Sequence, residues 1–357
     1  MSTPYLQDRL GYALDLAEDH PALDPERRHD FVFLFDATNC NPNGDPDNDN
    51  MPRQDFETRT GIVSGPCLKR KLRDFMASAF GTGHENTTET MNLYVKHRGL
   101  LKNEHRAVAE RMGKGTTDEN QRNMRRYFWD VRLFGAVLSV GKEDAAEGTD
   151  MEGLVDPGAP GETPPPKVDA KKGKVKKEDV LNGGQCVGPV TIGMAETVEP
   201  VAPGLMSIVR DARVDNPPGS EETSKAVSAM PGNLPWMPYG LYCGTGHYTP
   251  NLDPDRLVTR EDLAILWNGL RRMFESDVSA ARPAGSIRAL AAWVFTHDHR
   301  LGNYPVHRLF DRVSVRRSAE SLETGLPART YRDYSVVLAS PPLPPGVTLT
   351  ELYNDWA

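Results

Sequence analysis

No apolar run in the 357 residues approaches the ~18 that a membrane span requires. The opening segment, MSTPYLQDRLGYALDLAEDHP, has neither a basic start nor a continuous apolar stretch, so it does not read as a secretory signal. Both absences point to a cytoplasmic protein without a membrane partner. Cysteine is scarce: Cys40, Cys67, Cys186 and Cys243 are far apart and form no CxxC pair, which argues against a zinc ribbon or a thioredoxin-type centre. In a reducing compartment such residues act as small hydrophobes. GxSxG, Walker A, GxGxxG and HExxH motifs are missing as well, so no catalytic residue is nominated. There is no internal repeat. There is also no basic excess: 42 Lys and Arg face 50 Asp and Glu, for a net charge of -8.

What is present is an uneven distribution of that charge. Residues 1–60 carry 5 basic against 13 acidic side chains, whereas residues 65–135 carry 14 against 8. A basic surface is therefore compatible with an acidic chain, and the distribution matters more than the sum. With 38% hydrophobic residues the chain is long enough to bury a sizeable core. Its 31 glycines and 29 prolines make it loop-rich.

Residues 1–30 read as a polar extension. FVFLFDA (Phe31–Ala37) is a short apolar run, β-branched and aromatic, and predicts a buried central strand. Asn39–Arg53 is a long loop of turn formers. Gly65–Phe80 predicts a helix, with Pro66 in its first turn and Leu68, Leu72, Phe75 and Met76 on one face. Residues 85–134 read as mostly helical. Glu143–Gly184, with PGAPGETPPP and KKGKVKK, reads as a flexible low-complexity loop. Strands are expected at Val187–Glu196, Leu205–Arg210, Tyr239–Tyr248, Ala289–His297 and Tyr334–Ser340. Residues 214–237 form a second excursion. An amphipathic helix at Thr259–Glu275 buries Leu263, Leu266, Trp267, Leu270 and Phe274. This order predicts an α+β sheet domain with insertions.

Four constellations could carry chemistry. In the Asn41–Asp49 loop, Asp45, Asp47 and Asp49 mimic the start of an EF-hand, but Asn50 stands at its glycine position and Phe56 at its bidentate glutamate position. Pro42 and Pro46 restrict the backbone, and Gly44 allows φ > 0. Asn41, Asn43 and Gly44 then read either as a solvated turn or as amides offered to phosphate and ribose. In the helix, Lys69 and Arg73 fall at about 100° and 140° from Leu68 and flank the apolar stripe, with Arg70 pointing away from it and Lys71 on the other flank. Arg53 and Arg59 lie just upstream. This set reads either as a solvated basic face or as a phosphate grip. KKGKVKK (Lys171–Lys177) reads as spacer or mobile contact. His297 and His299, with His307 nearby, form an H-x-H pair without a third ligand at useful spacing.

The run DATNCNPNGDPDNDNMPRQDFETRTGIVSGPCLKRKLR resembles the opening of the backbone subunit of type I-C Cascade, the Csd2 family among the CRISPR-associated proteins. DVRLFGAVLS, GQCVGPVTIGMAETVEP, YGLYCGTGHY, EDLAILWNGLRRMFESDVSAARP and VFTHDHRLGNYPVHRLFDRVSV follow in the family's order, covering roughly residues 29–317. The resemblance implies a modified RNA-recognition-type (ferredoxin-like) palm at 31–357, with helical fingers at 85–134 and a thumb at 213–238. It implies a non-catalytic subunit that needs no cofactor or metal. Copies stack along a CRISPR RNA and leave its bases free to pair with target DNA. Other Cascade subunits complete the complex, and a helicase-nuclease degrades the target. Arg288 falls at a matched basic position and joins Asn41, Asn43, Gly44, Arg53, Arg59, Lys69, Arg70 and Arg73 as an implied RNA contact.

Three features depart from the family pattern: the additional N-terminal thirty residues, the long Glu143–Gly184 segment, and a thumb with only Lys225 as a basic residue between Arg213 and Tyr239. An alternative reading is an RNA-cleaving backbone, in which a loop aspartate (Asp36, Asp45, Asp47 or Asp49) cuts the target.

Overall fold

Along Phe31–Asp36 the aromatic side chains alternate with Val32, Leu34 and Asp36, and a strand sends the two sets to opposite faces. The computed structural model describes residues 13–81, 90–97, 99–138, 182–210, 230–339 and 342–356. In it these residues lie within β1 (His29–Cys40), longer than the expected Phe31–Ala37 and buried over almost its whole length. Three short strands follow, β2 (Gly44–Asp45), β3 (Met51–Pro52) and β4 (Thr60–Val63), and then the helix α1 (Gly65–Phe80). The helix keeps the bounds its sequence predicts. The Ser64 hydroxyl accepts the Cys67 N–H at its start, and Pro66 occupies a position where no N–H partner is needed.

The expected helical region contains α2 (Leu101–Met112), α3 (Thr117–Tyr127) and α4 (Trp129–Phe134). Beyond it come β5 (Gly135–Val137), β6 (Gln185–Val187), β7 (Val190–Ile192) and β8 (Ala195–Pro200), so the stretch expected as one strand at Val187–Glu196 is broken into three pieces. Next are β9 (Gly204–Arg210), β10 (Met230–Tyr248), α5 (Arg260–Arg272) and β11 (Ile287–His297). The chain ends with α6 (Val306–Phe310), β12 (Val313–Arg317), α7 (Ala319–Glu323), β13 (Tyr334–Leu338) and β14 (Val347–Asn354).

The main sheet is antiparallel, in the order β14-β11-β1-β10-β8-β4, with β7 and β9 also paired to β10. β10 has 19 residues and changes partners along its length. Met237–Tyr248 lies against β1, while Met230–Trp236 leaves the sheet and pairs with β9 as a ribbon. Pro231, Gly232 and Pro235 made this part read as an excursion. They are tolerated because a two-stranded ribbon leaves one side of the strand unpaired.

Each sheet face has its own cover. Phe31, Phe33 and Phe35 pack with α1 and α5 in the larger core. Gly244 and Gly246 on β10 make room for these rings: a Cβ at Gly246 would stand 2.2 Å from the Phe31 ring. The Thr259 hydroxyl accepts the Asp262 N–H, and the Asp262 carboxylate accepts the Thr259 N–H, closing a capping box at the start of α5. On the other face, Val32, Leu34 and Trp293 pack with Val313, Val315, Tyr334, Val336 and Leu338. The expected strand at Tyr334–Ser340 thus ends at Leu338 and belongs to a separate β12–β13 ribbon, which roofs the sheet opposite the helices. A third core joins Tyr94, Val108, Met124, Tyr127 and Phe128 in the helical part.

The described part of the expected N-terminal extension is bound to the domain. The Leu14 N–H donates to Asn268 Oδ1 (2.9 Å), and Trp267 Nε1 donates to the Ala22 carbonyl (2.9 Å). Lys171–Lys177, most of Glu143–Gly184 and Lys225 lie outside the described residues. Among the described residues no helix is long and apolar enough to cross a membrane.

Candidate nucleic-acid interface

Turn formers make the Asn41–Arg53 loop irregular, and its own side chains then fix it. Asn41 is buried, which corrects its reading as an exposed amide. Its N–H donates to the Ala281 carbonyl (2.9 Å) and its Nδ2 to the Asn50 carbonyl (2.7 Å), so it clamps the loop ends together. Asn43 Oδ1 accepts the Ser64 N–H (2.9 Å), joining the loop to the start of α1. Gly44 does not have positive φ. In this loop the left-handed conformation falls on Asp49 (φ 48°) and Asn50 (φ 57°). A Cβ at Gly44 would come 1.9 Å from Asn50 Oδ1, so a larger residue there displaces the Asn50 side chain. The Asp45 carbonyl accepts the Asn48 and Asn50 N–H groups, and its carboxylate faces Arg53 Nη1 at 3.4 Å. Pro46–Asp49 remain exposed at the tip.

A second turn follows at Asp55–Thr60. Asp55 Oδ1 accepts the Glu57 N–H, the Thr58 N–H and the Thr58 hydroxyl at 2.7–2.9 Å. The Thr58 groups hold this carboxyl below its ordinary value. Arg59 is exposed and has φ 61°, a conformation that costs an L-residue roughly 1–2 kcal/mol. Arg59→Gly is therefore expected to raise the urea midpoint of the folded chain, by an amount equivalent to about 1 kcal/mol. An unchanged or lowered midpoint would show that the turn does not carry this strain.

On α1 the basic residues divide by partner. Lys69 lies over the Phe134 ring, 5.6 Å from its centroid, and stays partly exposed. Arg70 is 3.7 Å from Asp74, one turn on, in a half-buried pair at the helix surface. Lys71 points inward rather than along a flank: it is buried and paired with Asp277, which also receives Arg282 Nε at 2.9 Å. The positive charges of Lys71 and Arg282 keep the Asp277 carboxyl below its ordinary value in spite of its burial. Arg73, expected beside Lys69, donates Nε to fully buried Asp130 (2.9 Å) and is itself largely covered. Asp130 also accepts the Tyr94 and Val95 N–H groups.

Arg288 has the same kind of partner. Its Nε donates to Asp36 Oδ1 at 3.0 Å, directly across the β1–β11 pair. Asp36 is completely buried. Burial pushes its carboxyl above the ordinary value, against the pull of Arg288. This carboxylate faces a roofed interior, so it is removed from the aspartates available to the RNA-cleaving alternative. Part of Arg288 remains exposed, 5.5 Å from the Tyr331 ring centroid.

The histidine pair also separates. His297 is buried with Nε2 2.8 Å from Asp30 Oδ2, whereas His299 is near the surface in a turn. Sequence reasoning missed Asp130 and Asp277. Each lies far along the chain from its basic partner, and no local pattern marks it.

The β1–loop–α1 unit is thus a pinned loop beside a helix with Lys69 and Arg70 at its surface. A family model described as "CRISPR-associated protein Cas7" matches residues 27–339, a span that includes this whole unit. The chain belongs to the Cas7 family. Over 129 residues it is 33% identical to a CRISPR-associated protein Cas7 of Haloferax volcanii, an overlap of 34% of this chain and 35% of that relative's length. The Cas7-family chain is also similar to a solved "CRISPR RNA-guided surveillance complex, pre-nicking", at 12% identity and TM-score 0.38 over 78% of this chain and 83% of the other. A second solved "CRISPR RNA-guided surveillance complex" is similar at 13% identity and TM-score 0.36, over 84% and 76%.

Proposed function

We propose that this Cas7-family chain is the non-catalytic backbone subunit of a type I CRISPR surveillance complex, of the I-C kind. Copies stack along the CRISPR RNA and leave its bases free for target DNA. Sequence recognition then comes from base pairing, and the protein holds only the RNA backbone. In this reading the main sheet is a palm of RNA-recognition type, α2–α4 are fingers, and the β9–β10 ribbon begins a thumb. Other Cascade subunits complete the assembly, and a separate helicase-nuclease cuts the target. The β12–β13 roof supports backbone binding over base stacking on the sheet, since it occupies the face that RNA-recognition sheets use for aromatic stacking.

The observation that carries this reading is the family match across the pinned loop and α1, where Lys69 and Arg70 stand at the surface. Arg53, Arg59 and Arg288 are secondary candidates. Asn43 and Gly44 act through the loop's backbone, and Asn41 and Arg73 hold the unit together from within. Lys69→Gln with Arg70→Gln is expected to weaken binding of single-stranded RNA and to flatten the slope of log affinity against log salt by about 1.4. An unchanged slope would move the RNA to another face. Binding should not depend on the guide sequence, and RNA recovered with the purified complex identifies the guide directly.

A further inference from the structure

Among the described residues, Phe56 is a large aromatic side chain outside the three cores. Phe56 is 79% exposed at the tip of the Asp55–Thr60 turn. The turn around it is rigid: Asp55 Oδ1 ties down two N–H groups and one hydroxyl. The base of the turn is fixed as well, because Gln54 Nε2 donates to the Val201 carbonyl (2.6 Å) and the Val201 N–H to the Arg59 carbonyl (2.8 Å). Phe56 is thus held out into solvent, with exposed Glu57 beside it. A second surface has the opposite charge and the same pairing of apolar with charged groups. At the start of α2, Leu100 is 68% and Leu101 41% exposed, and Lys102 and Arg106 lie exposed one turn apart.

These two surfaces lie at opposite ends of the sheet. In the turn, Thr60 pairs with Pro200, beyond the Tyr242–Thr197 pair and toward the Tyr239 end of β10. The helical part is fastened past the other end, after Tyr248, where Arg122 meets Asp255 and Arg125 meets Asp253. From Tyr239 to Tyr248 the strand alone spans about 30 Å. A knob at one end and a complementary patch at the other cannot meet within one chain, but they can meet between neighbours. Such a contact is heterologous, and it repeats along a filament where its rotation does not close a ring.

We infer that Phe56 and Glu57 dock on Leu100, Leu101, Lys102 and Arg106 of the next copy of this chain. The inference rests on the proposed stacking along RNA and assigns that stacking a specific contact. A nucleobase stacked on Phe56 is a poorer occupant, because the acidic Asp55 and Glu57 flank it directly, closer along the chain than Arg59. A second copy offers the matching charge.

The test compares two RNAs. On a single-stranded RNA long enough for several copies, Phe56→Ser with Glu57→Lys is expected to reduce the cooperativity of filling by roughly tenfold. On a short RNA that holds one copy, its affinity should not fall below that of the unaltered chain. Lys102→Glu with Arg106→Glu should produce the same defect, and combining Glu57→Lys with Lys102→Glu and Arg106→Glu should restore cooperativity. Equal stacking by all variants overturns the contact and leaves the stacking reading in place. A parallel loss on the short RNA overturns it in favour of a direct RNA contact, and failure of the combined variant overturns the pairing of the two surfaces. An unaltered chain that binds RNA only as isolated copies overturns both the contact and the stacking reading.

Discussion

Asp130→Ala is expected to destabilise the chain by about 3–5 kcal/mol, read as a lower urea midpoint at constant slope. Asp130 is fully buried. One oxygen accepts the Tyr94 N–H at 2.8 Å, and the other accepts the Val95 N–H at 3.0 Å and Arg73 Nε at 2.9 Å. Removing the carboxylate leaves two backbone donors and a largely covered guanidinium without an acceptor, and an unmade buried bond costs more than a made one contributes. Arg73→Met in the Asp130→Ala background should recover part of the loss, because it removes the uncompensated charge. A loss below about 1 kcal/mol for Asp130→Ala would mean that water replaces the carboxylate and that α1 is held by packing alone.

Acid is expected to lower the stability of the folded chain in two stages. His29 is buried. Its Nε2 lies 2.9 Å from the Asp24 carbonyl, and its Nδ1 lies 3.1 Å from Thr296 Oγ1. The neutral ring satisfies both partners, donating to the carbonyl and accepting from the hydroxyl. Burial lowers its pKa from 6.5 to about 4. The unfolded chain therefore takes up a proton first as pH falls. The associated stability is full above pH 6.5 and is lost on the way down to about pH 4, an effect of about 3 kcal/mol.

Asp30 governs the second stage. Burial alone would raise its carboxyl, but hydrogen bonds from His247 and His297 and the charge of Arg28 bring it down to about 2. Its contribution is present above about pH 3.8 and is lost as pH falls toward 2, an effect of about 2 kcal/mol. Urea midpoints across pH 2–8 give the profile. His29→Phe should lower stability above pH 6.5, where the Asp24 carbonyl and the Thr296 hydroxyl lose their partner, and flatten the segment between 6.5 and 4. If that segment keeps its slope in the variant, another group carries the first stage.

Elements with a strong local pattern were legible in the sequence. Gly65–Phe80 shows its apolar stripe and its starting proline, and α5 shows its stripe and its threonine cap. Phe31–Ala37 shows an apolar run bounded by turn formers. β4, β12 and β14 were not legible, because TGIV, VSVRR and VTLTELYN are short or half-polar and become strands only through partners elsewhere in the chain. The candidate site divides along the same line. Spacing placed Lys69 and Arg73 together on one flank of the helix's apolar stripe, but Arg73 meets a carboxylate 57 residues away and Arg288 meets one 252 residues away. The basic charge was visible in the sequence, and the acids that engage it were not. Asn41 shows the same limit, since a loop asparagine looks the same whether its amide closes the loop or faces solvent.

The continuous strand β10 also makes the ribbon a detachable graft. Gly204 and Trp236 are register partners where the ribbon joins the sheet. Paired residues in an antiparallel ladder stand about 5 Å apart, a gap that a two-residue turn closes. A chain joined there would keep Met237–Tyr248 in register with β1 and lose everything beyond. The same junction would accept a ribbon from another protein, so the projecting arm can be exchanged without redesigning the sheet that carries it.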